Sequence, residues 1–318
     1  MKDGSGRTID YLRVSVTDRC DLRCVYCMPE SGTVPMRHAD ILSYEQIERL
    51  VRIFASLGVK KVRLTGGEPL VRKDVSALVS MLKDIDGIER VALTTNGMQL
   101  CEKLPALLDA GLDAINISID TVDEQCFQAI TRREGLSEVL RSIERCASTP
   151  HLKTKLNCVP TEQNRDGLAD LTAYANGLDL PLRFIELMPI GCGRSLRGLK
   201  EAEVLTILSE RFGVWELDPD TAHAKCRVFH SGDMRAGFIS PLSHRFCDSC
   251  DRVRLTSDGK LKTCLEYSPQ LDCRALLAES DETIREAIAA AITEKPKAHR
   301  FTEPHQDTES RGMFAIGG

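Results

Sequence analysis

The sequence predicts an α/β fold: an incomplete (β/α)6 TIM-like barrel of parallel strands, followed by a smaller α+β C-terminal domain. Three observations predict it. Short β-branched runs alternate six times with longer amphipathic segments before Pro189. Polar or glycine-rich signals follow these runs, at the strand ends where βα barrels build their sites. After Pro189 the texture changes to short strand-like pieces and a second group of cysteines.

The strand candidates are residues 11–17, 59–65, 88–94, 113–119, 152–159 and 181–187. The first helix is predicted from Ser43, whose partner three residues on, Gln46, completes a capping box; the run closes at Leu57 before Gly58. A cysteine-rich loop follows the first strand and Gly66-Gly67-Glu68-Pro69 the second. Thr94-Thr95-Asn96-Gly97 follows the third, and Ser118-Ile119-Asp120 ends the fourth. All of these face one mouth. Beyond the barrel, residues 191–198 read as a loop, 202–212 as a helix, 227–240 as short strands and about 284–292 as a last helix. The expected organisation is a barrel over 1–190, a C-terminal domain over 191–294 and an extended tail over 295–318.

At 318 residues with 42% hydrophobic and 28% charged residues, the chain has the composition of a globular protein, which excludes wholesale disorder. A net charge of −5 argues against nucleic-acid binding by bulk charge. No run reaches the roughly 20 apolar residues of a membrane span, and no charged leader precedes an apolar stretch, so a cytoplasmic protein is expected. Thirteen cysteines in a reducing compartment point to metal ligation or chemistry rather than disulfides.

Cys20, Cys24 and Cys27 supply three thiols from one short loop, a pattern that suits an iron–sulfur cluster better than a closed zinc site. Three ligands on four irons leave one iron open to a small molecule. In the next loop, Gly67 permits close backbone approach and Glu68 offers a carboxylate for an amino group. With the cysteine triplet and the βα repeats, this loop resembles the radical S-adenosylmethionine superfamily. Cys247, Cys250 and Cys264 form a second triplet, for which zinc and iron–sulfur readings stand level on spacing alone. Arg252 and Arg254, two apart, share one strand face and would aim two guanidiniums at an anion; a solvated edge strand is the alternative. Lys61 and Arg63 repeat that spacing, and Arg13, Lys155 and Arg183 also lie in strand patterns, which together imply a cationic barrel interior able to hold a polyphosphate.

The two triplets, the run from Asp10 to Cys20, the segment Arg183-Phe184-Ile185-Glu186-Leu187-Met188-Pro189, the run from Phe246 to Arg254 and the terminal Ile316-Gly317-Gly318 together resemble the molybdenum-cofactor biosynthesis protein A family, the GTP 3′,8-cyclases. The resemblance runs from about Asp10 to Gly318. It implies two [4Fe-4S] clusters, on Cys20, Cys24 and Cys27 and on Cys247, Cys250 and Cys264. It also implies reductive cleavage of S-adenosyl-L-methionine to a 5′-deoxyadenosyl radical, hydrogen abstraction from C3′ of GTP, and closure onto C8 to give (8S)-3′,8-cyclo-7,8-dihydro-GTP, the first step of molybdenum cofactor biosynthesis. It assigns Tyr26, Gly67, Glu68, Ser118 and Met188 to S-adenosylmethionine. Arg13, Arg63, Thr94, Lys155, Arg252, Val253 and Arg254 are assigned to GTP, with Arg183 as an addition. Arg13, Arg252, Arg254, Gly317 and Gly318 are expected to serve catalysis, the tail entering the chamber mouth. The implied partners are a flavodoxin- or ferredoxin-type electron donor, cyclic pyranopterin monophosphate synthase downstream, and a second copy of the chain in a homodimer; no nucleic acid or membrane is implied.

Departures are mild: Asp251 stands where relatives carry Asn, and Ala236 where Ile is common. Cys273 reads as a core thiol at a helix start, and Cys101, Cys126, Cys146, Cys158, Cys192 and Cys226 as small buried hydrophobes or reduced surface thiols. A peptide-modifying maturase of the same superfamily and a zinc-stapled scaffold are the competing readings.

Overall fold

A computed structural model describes residues 1–301, 309 and 311–317. Six βα units form as the periodicity predicts: β1 (Tyr11–Ser15), α1 (Tyr44–Ser56), β2 (Lys61–Thr65), α2 (Val75–Lys83), β3 (Arg90–Thr95), α3 (Leu100–Asp109), β4 (Ala114–Ser118), α4 (Glu124–Thr131), α5 (Leu136–Ala147), β5 (Lys153–Cys158), α6 (Leu168–Gly177) and β6 (Leu182–Ile185). Most strands are shorter than their apolar runs because the flanking residues serve the turns. Val59, for example, donates its N–H to Phe54 O and closes α1 instead of joining β2. The Ser43–Gln46 capping box forms in both directions. The fourth crossover carries two helices, split where Arg132 takes φ +55° and Gly135 φ +122°.

The C-terminal third adds α7 (Glu201–Phe212), β7 (Glu216–Leu217), β8 (Arg227–Ser231), β9 (Met234–Ile239), β10 (Arg252–Leu255), β11 (Lys260–Lys262), β12 (Leu271–Asp272), α8 (Asp281–Thr293) and the short α9 (Met313–Ile316). Its strands join the barrel sheet at both edges: β9 pairs parallel with β6, and β10 parallel with β1. One twelve-stranded sheet results, in the order β12-β11-β10-β1-β2-β3-β4-β5-β6-β9-β8-β7, and among the described residues no ladder joins its two ends.

Alternation along the strands sorts side chains between two faces. Leu12, Val14, Val62, Leu64, Val91, Leu93, Ile115 and Ile117 are buried on the outer face, in one apolar core with Ile47, Leu50, Val51 and Phe54 of α1. The other face carries the polar set. Register rows align Arg254, Arg13 and Arg63, then Thr94, Asn116 and Lys155, then Asn157, Arg183 and Gly237. No helix among the described residues is long and apolar enough to cross a membrane.

Fully buried Phe54 holds α1 on the sheet, whereas Ser43 contributes only a cap. Phe54→Ala should lower unfolding free energy by about 3–5 kcal/mol and Ser43→Ala by about 1 kcal/mol, read as denaturant midpoints with unchanged slope.

Candidate active site

The loop carrying the first triplet leaves β1 and is held by the loop after β2. Gly67 N donates to Thr17 O and Glu68 N to Arg19 O, both at 2.7 Å. A Cβ on Gly67 would lie 2.2 Å from Arg19 O, and one on Gly66 2.6 Å from Thr17 O, so both positions require glycine for close approach. Farther along, Arg23 N and Val25 N bond to Thr131 O and Ile130 O at the end of α4, and Arg132 Nη1 reaches Arg23 O and Met28 O. With the backbone satisfied elsewhere, the thiols are available as ligands.

Burial pushes all three thiols up: Cys20 also feels Glu68 and Asp21, Cys24 feels Asp120, and Cys27 is pushed to about 12. The three also repel one another's charge, Cys20 by Cys27 and Cys24 by both. Three converging thiols cannot all ionise there unless a cationic core draws off the protons, as coordination to iron does. Three thiols from one short loop are a donor set that suits an iron–sulfur cluster.

Glu68 is 1% exposed, and burial raises its carboxyl to about 7 against hydrogen bonds from Asn96 N, Leu70 N and Thr95 Oγ1. Oε1 takes two of these and Oε2 one, which leaves an acceptor position on Oε2 for an ammonium. Asn96 Nδ2 bridges Asp21 Oδ1 at 2.6 Å and Cys20 Sγ at 3.8 Å. Tyr26 OH donates to Asp120 Oδ2 at 2.6 Å, and Asp120 Oδ1 accepts from Val159 N. Burial lifts Asp120 to about 6. Ser118 ends β4, and the turn at Gly193 packs on Met188 O, with Tyr26 O nearby. Tyr26, Gly67, Ser118 and Met188 thus gather at the carboxyl ends of β1, β2, β4 and β6. Asp120 and Asn96 were not singled out as site residues from sequence, although both lie in the strand-end segments that marked the mouth.

The inner face is cationic. Burial and then Arg254 hold the Arg13 guanidinium well below its usual value, with Arg252 and Arg63 adding to the effect. Burial brings Arg183 and Arg254 each down to about 10, and it also lowers Lys155, with Arg183 next. Three of the cations bond uncharged acceptors: Arg63 bonds Tyr11 OH and Leu93 O, Arg183 bonds Asn157 Oδ1, and Arg254 bonds Gly317 O at 2.8 Å. Arg252 stands over the rings of Tyr11 and Phe246, 5.9 Å from each, with Asp251 at 3.6 Å. Val253 lies between the two arginines in register with Leu12 and is fully buried on the apolar face, so only its backbone is available to a ligand. Thr94 is on the inner face, 3.4 Å from Arg63 Nη1. Cys226, read from sequence as a simple buried or surface thiol, stands beside Arg183 and Lys155.

The second triplet forms where the β10–β11 hairpin brings Cys264 back to the turn holding Cys247 and Cys250. Burial raises both Cys250 and Cys264, but Lys295 and Arg252 turn the net shift of Cys250 downward. Cys273 is fully buried in the apolar core. The tail reaches the first triplet and the arginine row. A buried Lys262–Glu309 pair anchors it, Phe314 N–H donates to the Cys27 sulfur, and Gly317 lies at Ser15 and Thr65, the inner ends of β1 and β2. Gly317 has φ +74° and a Cβ there would meet Thr65 Oγ1 at 2.9 Å. Gly318 lies outside the described residues.

A parallel βα sheet with a three-thiol loop at the end of its first strand defines the class, the radical S-adenosylmethionine enzymes. A Radical SAM superfamily model matches residues 14–171, and a Molybdenum Cofactor Synthesis C model matches 180–301. Among solved structures, Streptococcus suis SuiB is similar in fold, with a TM-score of 0.61 and 14% identity over 91% of this chain and 66% of that one. SuiB bound to S-adenosylmethionine gives a TM-score of 0.57 and 16% identity over 81% of this chain and 60% of that one. Curated relatives named GTP 3′,8-cyclase are 42% identical in Clostridium perfringens (strain SM101 / Type A), across all of both chains, and 42% in Bradyrhizobium diazoefficiens, across 100% of this chain and 96% of the relative. GTP 3′,8-cyclase 1 of Pseudomonas aeruginosa is 40% identical over 99% and 98%. The chain belongs to the GTP 3′,8-cyclase family.

Because Gly67 has no room for a methyl group, Gly67→Ala should displace the Arg19–Cys20 backbone and abolish cluster binding at the first loop, read as loss of iron and of the brown colour relative to wild type after anaerobic reconstitution.

Proposed function

We propose that the protein converts GTP to (8S)-3′,8-cyclo-7,8-dihydro-GTP, the first step of molybdenum cofactor biosynthesis. The observation that carries this reading is the arginine row Arg254, Arg13 and Arg63 on the inner face, where Arg63 bonds Leu93 O and Arg254 bonds Gly317 O. Cys20, Cys24 and Cys27 would hold the first [4Fe-4S] cluster and Cys247, Cys250 and Cys264 the second. When bound, the first cluster and S-adenosyl-L-methionine supply a 5′-deoxyadenosyl radical.

The chain's own residues bind and orient. Glu68 Oε2 offers its remaining acceptor position to the amino group of S-adenosylmethionine, while Tyr26, held by Asp120, and Gly67, Ser118 and Met188 line the same rim. Arg13, Arg63, Arg252, Arg254 and Lys155 neutralise the triphosphate, each guanidinium gaining the anionic partner that its repulsive neighbours make favourable. Fixing the nucleotide between the triplets presents C3′ to one side and the base to the other, so orientation supplies much of the selectivity. The Gly317 carbonyl holds Arg254 in its rotamer from inside the chamber. A flavodoxin- or ferredoxin-type protein would deliver electrons, cyclic pyranopterin monophosphate synthase would take the product, and the enzyme would work as a cytoplasmic homodimer.

Anaerobic incubation with reductant, S-adenosylmethionine and GTP should yield 5′-deoxyadenosine and a cyclised nucleotide, with both dependent on GTP; a peptide-modifying enzyme would not need the nucleotide. The protein should be brown and carry roughly eight irons per chain, whereas zinc in their place would contradict the reading. Deleting Gly317 and Gly318 should cut cyclisation severely while leaving the iron content unchanged, measured by product chromatography and iron assay on the same preparation.

A further inference from the structure

A cation buried without a carboxylate is costly, and among the described residues no carboxylate pairs with Lys295. It lies just beyond α8, is 5% exposed, and donates from Nζ to Arg252 O at 2.9 Å and, more closely, to Thr263 O. Arg252 is two residues past Cys250, and Thr263 immediately precedes Cys264. Among the described residues Lys295 forms no ion pair, so its hydrogen bonds are satisfied while its charge is not. Arg7 differs. It is 7% exposed, and its charge is met by Asp3 at 2.6 Å. Its Nη1 donates to Cys247 O at 3.0 Å and Lys297 O at 2.8 Å, and its Nη2 to Pro296 O at 2.7 Å and Lys295 O at 3.3 Å. One guanidinium therefore ties the backbone of Cys247 to the turn that carries Lys295.

We propose that Lys295 is the counter-cation of the second metal centre, held in place by Arg7 as a positioning residue, and that its charge raises that centre's reduction potential. The inference rests on the reading that Cys247, Cys250 and Cys264 hold a [4Fe-4S] cluster. Three thiolates on a four-iron core leave net negative charge, and one-electron reduction adds another unit. A fixed buried cation favours the more negative form, because low dielectric leaves the attraction poorly screened. Carboxylates stand near both triplets, Glu68, Asp21 and Asp120 at the first and Asp251 and Glu266 at the second, so Lys295 is the added positive charge at the second.

The test compares full-length wild type, Lys295→Met and Lys295→Arg after anaerobic reconstitution, by iron content and by redox titration followed with electron paramagnetic resonance. Wild type holding only about four irons defeats the two-cluster reading itself, before any variant is considered. Given two clusters, Lys295→Met should shift the midpoint of the second to more negative potential and leave the first in place, and Lys295→Arg should restore most of the shift. Loss of the second cluster from Lys295→Met, which removes the hydrogen bonds to Arg252 O and Thr263 O as well as the charge, marks a structural tie rather than a tuning charge and overturns the proposal. An unchanged second midpoint in Lys295→Met or an equal shift of both clusters also overturns it.

Discussion

The constraint on which the rest of the structure depends is the gathering of like charges on the inner face of a parallel sheet. Arg13, Arg63 and Arg254 occupy one register row, with Arg252, Arg183 and Lys155 on adjoining positions. Burial first, and then neighbouring cations, lower Arg13, Arg183, Arg254 and Lys155. Such an arrangement persists only because the outer face is apolar and firmly packed; a dense core of Val, Leu and Ile stabilises the strands that carry the cations. The stored repulsion becomes an affinity for a polyanion.

The same logic, with the sign reversed, governs the cysteines. Cys20 and Cys24 are buried beside carboxylates and Cys27 is buried beside Cys192, so each thiol keeps its proton until a cationic centre takes its place. Around Cys250 the balance tips the other way, because Lys295 and Arg252 are close. The tail ties these unlike environments together, touching Cys27 through Phe314 and Arg254 through Gly317. Movement of a few residues there reaches both ends of the chamber, which gives the last turn of the chain an influence out of proportion to its length.

Much of this was legible in the sequence, for physical reasons. The six strands could be read because short β-branched runs alternate with longer amphipathic segments, and α1 because Ser43 and Gln46 are three apart. The cationic interior followed from charges at i and i+2 in strands that should otherwise be apolar. What could not be read depends on distant pairing. Nothing local in Arg252–Leu255 or Met234–Ile239 tells that one strand lies against β1 and the other against β6, so the C-terminal strands extend the barrel sheet at both edges in a way that composition does not foreshadow. The hold of Asp120 on Tyr26 spans 94 residues, and the bond from Arg7 to Cys247 spans 240. Val253 sits between two inward arginines, and the pleat turns its side chain into the core and leaves its backbone to the inner face.

The central claim is that two iron centres face each other across the arginine row with a triphosphate between them. Diffraction at the iron absorption edge from oxygen-free crystals grown with S-adenosylmethionine and GTP tests it most directly. The account predicts two anomalous peaks, one among Cys20, Cys24 and Cys27 and one among Cys247, Cys250 and Cys264, with phosphate density against Arg13, Arg63 and Arg254. A single iron peak, or a nucleotide bound away from that row, would contradict it.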